Sequence, residues 1–310
     1  MDSLNLVDEI REVEKGNKEA YKELSQKLRK KRWDFIFAPH ESFRTAKLVF
    51  SLPAKEKIGF KKWWNAAFFT RRVSRRKDLP DALRQLRLFA SVDAVVQQRL
   101  SELVSTPSGI NPSDRTKSID FRPFNIPDFA SMTLKDFNRS QKFSFLTGKD
   151  AFVFPGSVWP TKRWVQDGFV KLGHSLQQVG YTVHWMGSQE ESELCEGLRT
   201  KVAGSFSHAG QLNLKECLQA LARGQLLISN DSGSMHMGAV VGIPTVAIFG
   251  PTTLDIGYRP WQETAMVIQA DLNCRPCGKH GHVKCPLGHH NCMRWISSDQ
   301  VFEASQALLK

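Results

Sequence analysis

The sequence predicts an α/β protein built on parallel sheets, and three observations carry that prediction. From Ala151 onward, short apolar runs alternate with segments of helical periodicity. Glycines punctuate the ends of these segments, at Gly180, Gly187, Gly224 and Gly242. The run Leu226–Thr253 then joins two apolar strands through an Asn-Asp-Ser-Gly turn and a helix of small residues. Strands and helices in that rhythm imply right-handed crossover units and a parallel sheet.

Taken in order, Lys18 to Arg32 reads as a basic amphipathic helix, Trp33 to Ala38 as a strand and Glu41 to Phe50 as a helix. Lys57 to Phe60 reads as a short strand. Pro80 suits a first helical turn and opens one long helix to Val104. From Thr106 to Asp128, Pro107, Pro112, Pro123 and Pro127 break any periodicity and predict loop or short strand. Ser131 to Asp150 is polar, and the domain boundary is placed near its end, giving domains 1–148 and 149–310. In the second, Ala151–Phe154 is a strand, Arg163–Val179 a helix and Tyr181–Met186 a strand. Glu190–Thr200 and Leu214–Ala222 are helices. Leu226–Ser229 is a strand, Met235–Val241 a helix stopped by Gly242, and Pro244–Phe249 a strand. Ser297 caps a last helix over Val301–Leu309.

Composition narrows the class. The chain has 310 residues, 41% of them hydrophobic, enough for two folded domains and unlike a disordered composition. No apolar run approaches the ~20 residues that span a bilayer, and no signal peptide follows Met1, so a cytoplasmic protein is expected. Six cysteines are too few for a disulfide scaffold and suit a reducing compartment. The net charge of +12 is concentrated: residues 1–150 hold 30 Lys and Arg against 19 Asp and Glu, the remainder 13 against 12. Its densest part carries Lys61, Lys62, Arg71, Arg72, Arg75 and Arg76 among Trp63, Trp64, Phe68 and Phe69. A solvated face explains such a run; basic and aromatic residues together also fit a membrane surface, with Arg71, Arg72, Arg75 and Arg76 as its charges, and nucleic acid is the rival partner.

Three places bear on chemistry. In Asn230-Asp231-Ser232-Gly233, two capping residues stand where a helix start turns free N–H groups toward an anion. The turn Phe154-Pro155-Gly156-Ser157 precedes Lys162-Arg163-Trp164, and a lysine beside a strand-end turn suits phosphate. Cys274-x2-Cys277-x7-Cys285-x6-Cys292, with His280, His282, His289 and His290 between, has the spacing of a zinc knuckle and equally that of packed structural thiols or a disulfide clip.

The string Asp231, Ser232, Gly233, His236, Gly242, Pro244, Phe249, Gly250, Pro251, Thr252 resembles the nucleotide-sugar motif of the heptosyltransferases of glycosyltransferase family nine. The resemblance is continuous from Ala151 to Lys310 and weaker over Val7 to Val104. It implies a GT-B fold of two facing Rossmann-like domains, the donor held in the second, and inverting transfer of heptose from ADP-heptose to the inner core of lipopolysaccharide. It further implies that Lys162 contacts the diphosphate, that Ser157 serves the turn, that Gln189, with Glu190 as competitor, meets the ribose, and that Leu212 lies by the adenine. His236 joins Asp231, Ser232 and Gly233 in the donor motif. The Cys-rich segment is matched by a structural loop beside the nucleotide site. No cofactor and no metal are required, and the expected partners are an ADP-sugar, a phosphorylated lipid A-core acceptor and the anionic inner face of the inner membrane, without nucleic acid. Members open with a strand, a Gly-Asp turn and a helix, whose Asp is the general base. These residues hold no Gly-Asp pair, so the expectation is an incomplete first domain without that base. The alternative is a non-catalytic nucleotide-sugar or nucleic-acid binding protein.

Overall fold

A computed structural model describes residues 8–14, 16–76, 79–105, 119–120, 143–262 and 264–309. The chain divides into two compact units, Met1–Ser105 and Thr106–Lys310. The sequence placed the division at 148/149; most of the chain between these two boundaries lies outside the described residues.

The N-terminal unit contains α1 (Lys18–Arg29), β1 (Trp33–Ala38), α2 (Phe43–Phe50), β2 (Ala54–Phe60), β3 (Arg71–Val73), α3 (Asp81–Ala90) and α4 (Ala94–Ser105). Its parallel sheet has the order β1-β2-β3. Asn17 caps α1 by accepting the Ala20 N–H, and no α1 side chain is fully buried. Ser42 caps α2 in the same way. One small core forms where Ile58 and Phe60 of β2 meet Leu88 of α3, and another where Ala38 meets Ala46, Val49 and Phe69. The expected single helix from Pro80 to Val104 is two helices. The chain breaks at Ser91-Val92-Asp93, where the Asp93 carboxylate accepts the Val96 N–H and starts α4 afresh. Strand β3 was not anticipated, because three residues are too short to show alternation.

The C-terminal unit contains β4 (Ile119–Asp120), β5 (Asp150–Phe154), α5 (Gln166–Gln178), β6 (Thr182–Trp185), α6 (Ser192–Lys201), β7 (Phe206–Ser207) and α7 (Leu214–Leu221). It continues through β8 (Leu226–Asn230), α8 (Gly233–Val241), β9 (Thr245–Phe249), β10 (Ala265–Gln269), α9 (Asn291–Arg294) and α10 (Ser298–Leu308). The sheet order is β4-β10-β9-β8-β5-β6-β7, parallel except for β4. Its parallel part is the doubly wound order 3-2-1-4-5-6, whose direction of winding reverses between β5 and β8. Strands β5, β8 and β9 are buried along their whole length, as strands covered on both faces must be. Helix α8 lies close on the sheet at Gly238, where a Cβ would stand 2.5 Å from Leu227 Cδ2 and 2.6 Å from Thr245 Oγ1. Gly242 ends that helix with φ 75°, a left-handed conformation that glycine adopts freely.

Two helix starts differ from expectation. Arg163–Val179 begins as a helix only at Gln166, because Lys162 sits in a tight turn (Pro160–Lys162) and the Trp164 N–H donates to Asn230 Oδ1. Glu190–Thr200 begins at Ser192, after a tight turn over Gln189–Glu191.

Candidate functional site

The reversal of winding leaves a crevice at the carboxyl ends of β5 and β8, the place where doubly wound sheets hold ligands. The turn after β5, Pro155-Gly156-Ser157, is held by Asn230: its Nδ2 donates to Pro155 O at 2.9 Å and to Gly156 O at 3.2 Å. Arg163 Nε closes the turn by donating to Ser157 O at 2.8 Å. Asn230 is fully buried and was read from the sequence only as a turn residue.

After β8, Asp231 does not cap α8. Its Oδ2 accepts from Lys162 Nζ at 2.6 Å, with both side chains buried, and from the Thr252 hydroxyl. Ser232 is the N-cap residue, yet its side chain makes no cap hydrogen bond; its hydroxyl lies 2.6 Å from Ser234 Oγ, which is 2.7 Å from Ser229 Oγ. The Ser232 side chain therefore does not take up the first N–H groups of α8. In front of Gly233 there is open space. His236, in the first turn of α8, is half-buried.

The segment from Cys274 to Cys292 fastens this crevice from outside. Thr161 exchanges hydrogen bonds with His282: its N–H and hydroxyl reach His282 O, and the His282 N–H reaches Thr161 Oγ1 at 2.8 Å. His290 Nε2 lies 2.8 Å from Thr161 O. The buried Arg275 donates to the carbonyls of Gly250, Ala270 and Thr252, fixing the turn that carries Thr252. Cys277 N–H donates to Pro251 O. All six cysteines are free thiols, and among the described residues no three His, Cys, Asp or Glu side chains group as a metal site. Burial pushes the Cys292 thiol up to about 11. Burial also raises Cys285, but N–H groups of His290, Leu287, Gly288 and His289 outweigh it and hold that thiol below the usual cysteine range.

At the neighbouring strand end, the sequence pointed to Gln189 and Glu190. The Gln189 side chain lies against Gly210, and Glu190 is exposed. The carboxylate beside the β5 turn is that of Glu191, so close that a Cβ on Gly156 would overlap it. Glu191 also accepts the Ser188 N–H at 2.9 Å. Three acidic or amide residues in a row gave no sequence signal for choosing among them. Leu212 is half-buried just before α7.

Arg71, Arg72, Arg75 and Arg76 of the N-terminal unit are not alike. Arg71 holds Glu56 by two bonds and also donates to Ser91 O. Arg75 bridges Glu41 and Asp81. Arg72 and Arg76 are exposed. Burial raises Glu41, but hydrogen bonds from Lys62 and Arg75 prevail and hold it below the usual carboxylate range. Hydrogen bonding to Lys55 does the same for the exposed Asp34.

Fold and site place the chain among two-unit α/β proteins of the GT-B class. A family model described as Glycosyltransferase family 9 (heptosyltransferase) matches residues 21–287, and the chain belongs to that family. It is 35% identical over 162 residues to lipooligosaccharide heptosyltransferase 2 of Campylobacter jejuni, covering 50% of each chain. The chain thus spans about half the length of the curated relatives it matches. Among solved structures it is similar to E. coli ADP-heptose LPS heptosyltransferase II, with TM-score 0.60, 21% identity and coverage of 93% of this chain and 80% of that one. It is also similar to E. coli heptosyltransferase WaaC with ADP, with TM-score 0.65, 17% identity and coverage of 93% and 77%. At these identities the structures establish the fold. Among the described residues no helix is long and apolar enough to cross a membrane.

Proposed function

We propose that the protein is a glycosyltransferase that moves heptose from ADP-heptose to a phosphorylated inner-core acceptor of lipopolysaccharide, and that the β5/β8 crevice holds the ADP moiety. The observation that carries this reading is the convergence of Lys162, Asp231 and the N-terminus of α8 at the reversal point of the sheet. A diphosphate seated there meets the N–H groups and positive dipole end of α8. Lys162 has three N–H donors and can keep Asp231 while offering another to phosphate. As the sugar–phosphate bond breaks, negative charge grows on the departing ADP, and preorganised donors in a partly dry site stabilise it without solvent rearrangement. The aspartate fixes the direction of the ammonium. The Ser157 turn borders the same crevice, and the Glu191 carboxylate stands where it can accept from a ribose hydroxyl; Gln189 and Leu212 flank the nucleoside side. His236 stands in the first turn of the same helix. The structure of the relative WaaC was solved with ADP, which supports a nucleoside diphosphate as the ligand of this crevice.

The general base for the acceptor is assigned to neither Asp34 nor Glu41, since both are held in ion pairs that favour the ionised form and weaken it as a base. The N-terminal unit supports contact with an anionic membrane. Phe43 and Phe50 of α2 are more than half exposed, Trp63 is 93% exposed, and Phe43, Trp64 and Phe68 form one aromatic cluster. Rings of this kind among lysines sit at headgroups. Transfer from ADP-heptose to heptose-deficient lipopolysaccharide, assayed with Lys162→Met beside the parent, tests the reading. Parent turnover that falls at least about tenfold in the variant supports it; equal turnover contradicts the site.

A further inference from the structure

Two rings that no role assigned above uses meet on the β9 side of the crevice. Tyr258 and His280 are stacked, with ring centroids 5.9 Å apart and an interplanar angle of 26°. Tyr258 lies in the loop after β9 and is half-buried, whereas His280 is exposed, so the pair stays open to solvent on the histidine side. The pair is anchored beside Lys162. Gly281, next to His280, lies so close to the Lys162 turn that a Cβ on it would stand 3.2 Å from Thr161 Oγ1, 3.3 Å from Lys162 Cγ and 3.4 Å from Pro251 Cγ. The Cys277 N–H donates to Pro251 O at 2.9 Å, and His282 is tied to Thr161 on the other side of the same glycine. Stacked rings held at the mouth of a crevice keep apolar surface in water, a cost that an incoming apolar face removes.

We propose that the Tyr258–His280 pair is the seat of the donor's sugar ring and sets a preference for the nucleotide sugar over the free nucleotide. The inference rests on the reading of the β5/β8 crevice as an ADP site. In the sheet, β6 adjoins β5 and β9 adjoins β8, so the crevice has a β6 flank and a β9 flank. A nucleoside diphosphate with its phosphates at Lys162 and its ribose at Glu191 takes the β6 flank. The sugar hangs from the second phosphate, on the side away from the ribose, and this is the β9 flank where the ring pair stands. A pyranose offers an apolar face of C–H groups with a rim of hydroxyls. Aromatic faces receive the first, and the Tyr258 hydroxyl and His280 ring nitrogens can bond the second.

Calorimetric titration of the full chain with ADP and with ADP-heptose tests it. The parent binds ADP-heptose more tightly than ADP. The double variant Tyr258→Ala with His280→Ala loses about threefold to tenfold in ADP-heptose affinity, the range of one aromatic contact, and binds ADP as the parent does. Tyr258→Phe, which keeps the ring, retains most of the preference. Circular dichroism confirms that each variant is folded, and His280→Ala alone, at the exposed ring, serves where the double variant is not. Equal affinity of the parent for ADP and ADP-heptose, or a folded variant that keeps the parent's preference, overturns the ring seat and leaves the ADP crevice standing. Equal weakening of both ligands also overturns it, because the rings then only support the Lys162 turn. Failure of ADP to bind the parent overturns the crevice reading itself, and the ring seat with it.

Discussion

Lys162 and Asp231 illustrate how a site residue can carry stability as well. Both are buried, so removing the ammonium leaves a carboxylate without its charge partner, a loss worth about 3–5 kcal/mol. Lys162→Met should lower the stability of the C-terminal unit by that order in urea unfolding, and the double variant Lys162→Met with Asp231→Asn should recover most of it. No recovery would mean that the pair is not the stabilising contact. A second buried network lies at the opposite end of β5. Asp150 accepts from Thr147, Gly148 and His184 Nε2, and His184 Nδ1 lies 3.0 Å from His208 Nε2. Burial, then the neighbouring His184, push His208 down to about 4 from the ordinary 6.5. The unfolded chain then binds the proton first, so stability is full above about pH 6.5 and is lost as pH falls toward 4, by on the order of 3 kcal/mol. Thermal midpoints across pH 4–7 should show that decline, and His208→Phe should flatten it; an equal slope in the variant would assign the proton elsewhere. Among the thiols, Cys195 and Cys217 are raised to about 12 by burial, whereas Cys285 is held low and is half-buried. Iodoacetamide at neutral pH should label Cys285 well before Cys195 or Cys217, and mass spectrometry that finds the reverse order would refute that environment.

At the scale of elements, α8 sits on the sheet through Gly238 and has no room for a larger residue. Gly238→Val should cost about 1–3 kcal/mol by overpacking against Leu227 and Thr245, read as a lowered thermal midpoint. An unchanged midpoint would show that the helix can lift freely. The elements around the crevice were legible because their signals are local: four- and five-residue apolar runs, a polar turn and a glycine stop. Strand β1 was readable from end to end for the same reason. Strand β10, Ala265–Gln269, was missed because five mostly apolar residues without flanking turn signals do not distinguish strand from helix. The break between α3 and α4 was missed because Ser91-Val92-Asp93 contains neither Gly nor Pro, and only the Asp93 cap marks it. Of the crevice, the turns that carry the motifs were legible in the sequence. What escaped depends on contacts distant in sequence: Asn230 reaching back 75 residues to Pro155, Thr252 reaching Asp231, and Glu191 lying on Gly156. The same cause turned Asp231 from an expected cap into an ion-pair partner.

For the whole molecule, charge and chemistry divide between the units. The C-terminal unit holds the β5/β8 crevice and is close to neutral, while the first 150 residues hold almost all of the net charge. Membrane contact should therefore follow the N-terminal aromatics and exposed cations: Trp63→Ala with Arg72→Ala should weaken binding to phosphatidylglycerol vesicles and leave ADP binding unchanged. Vesicle binding that survives this variant would remove the aromatic face from the account. The central claim is that the β5/β8 crevice holds a nucleoside diphosphate, and calorimetric titration of ADP tests it most directly. The double variant Lys162→Met with Asp231→Asn keeps the crevice uncharged and free of an orphaned carboxylate. The account predicts that ADP binds the parent and that the double variant binds at least about tenfold more weakly, the loss expected for one charge-assisted hydrogen bond. Equal ADP affinity in parent and double variant would contradict it.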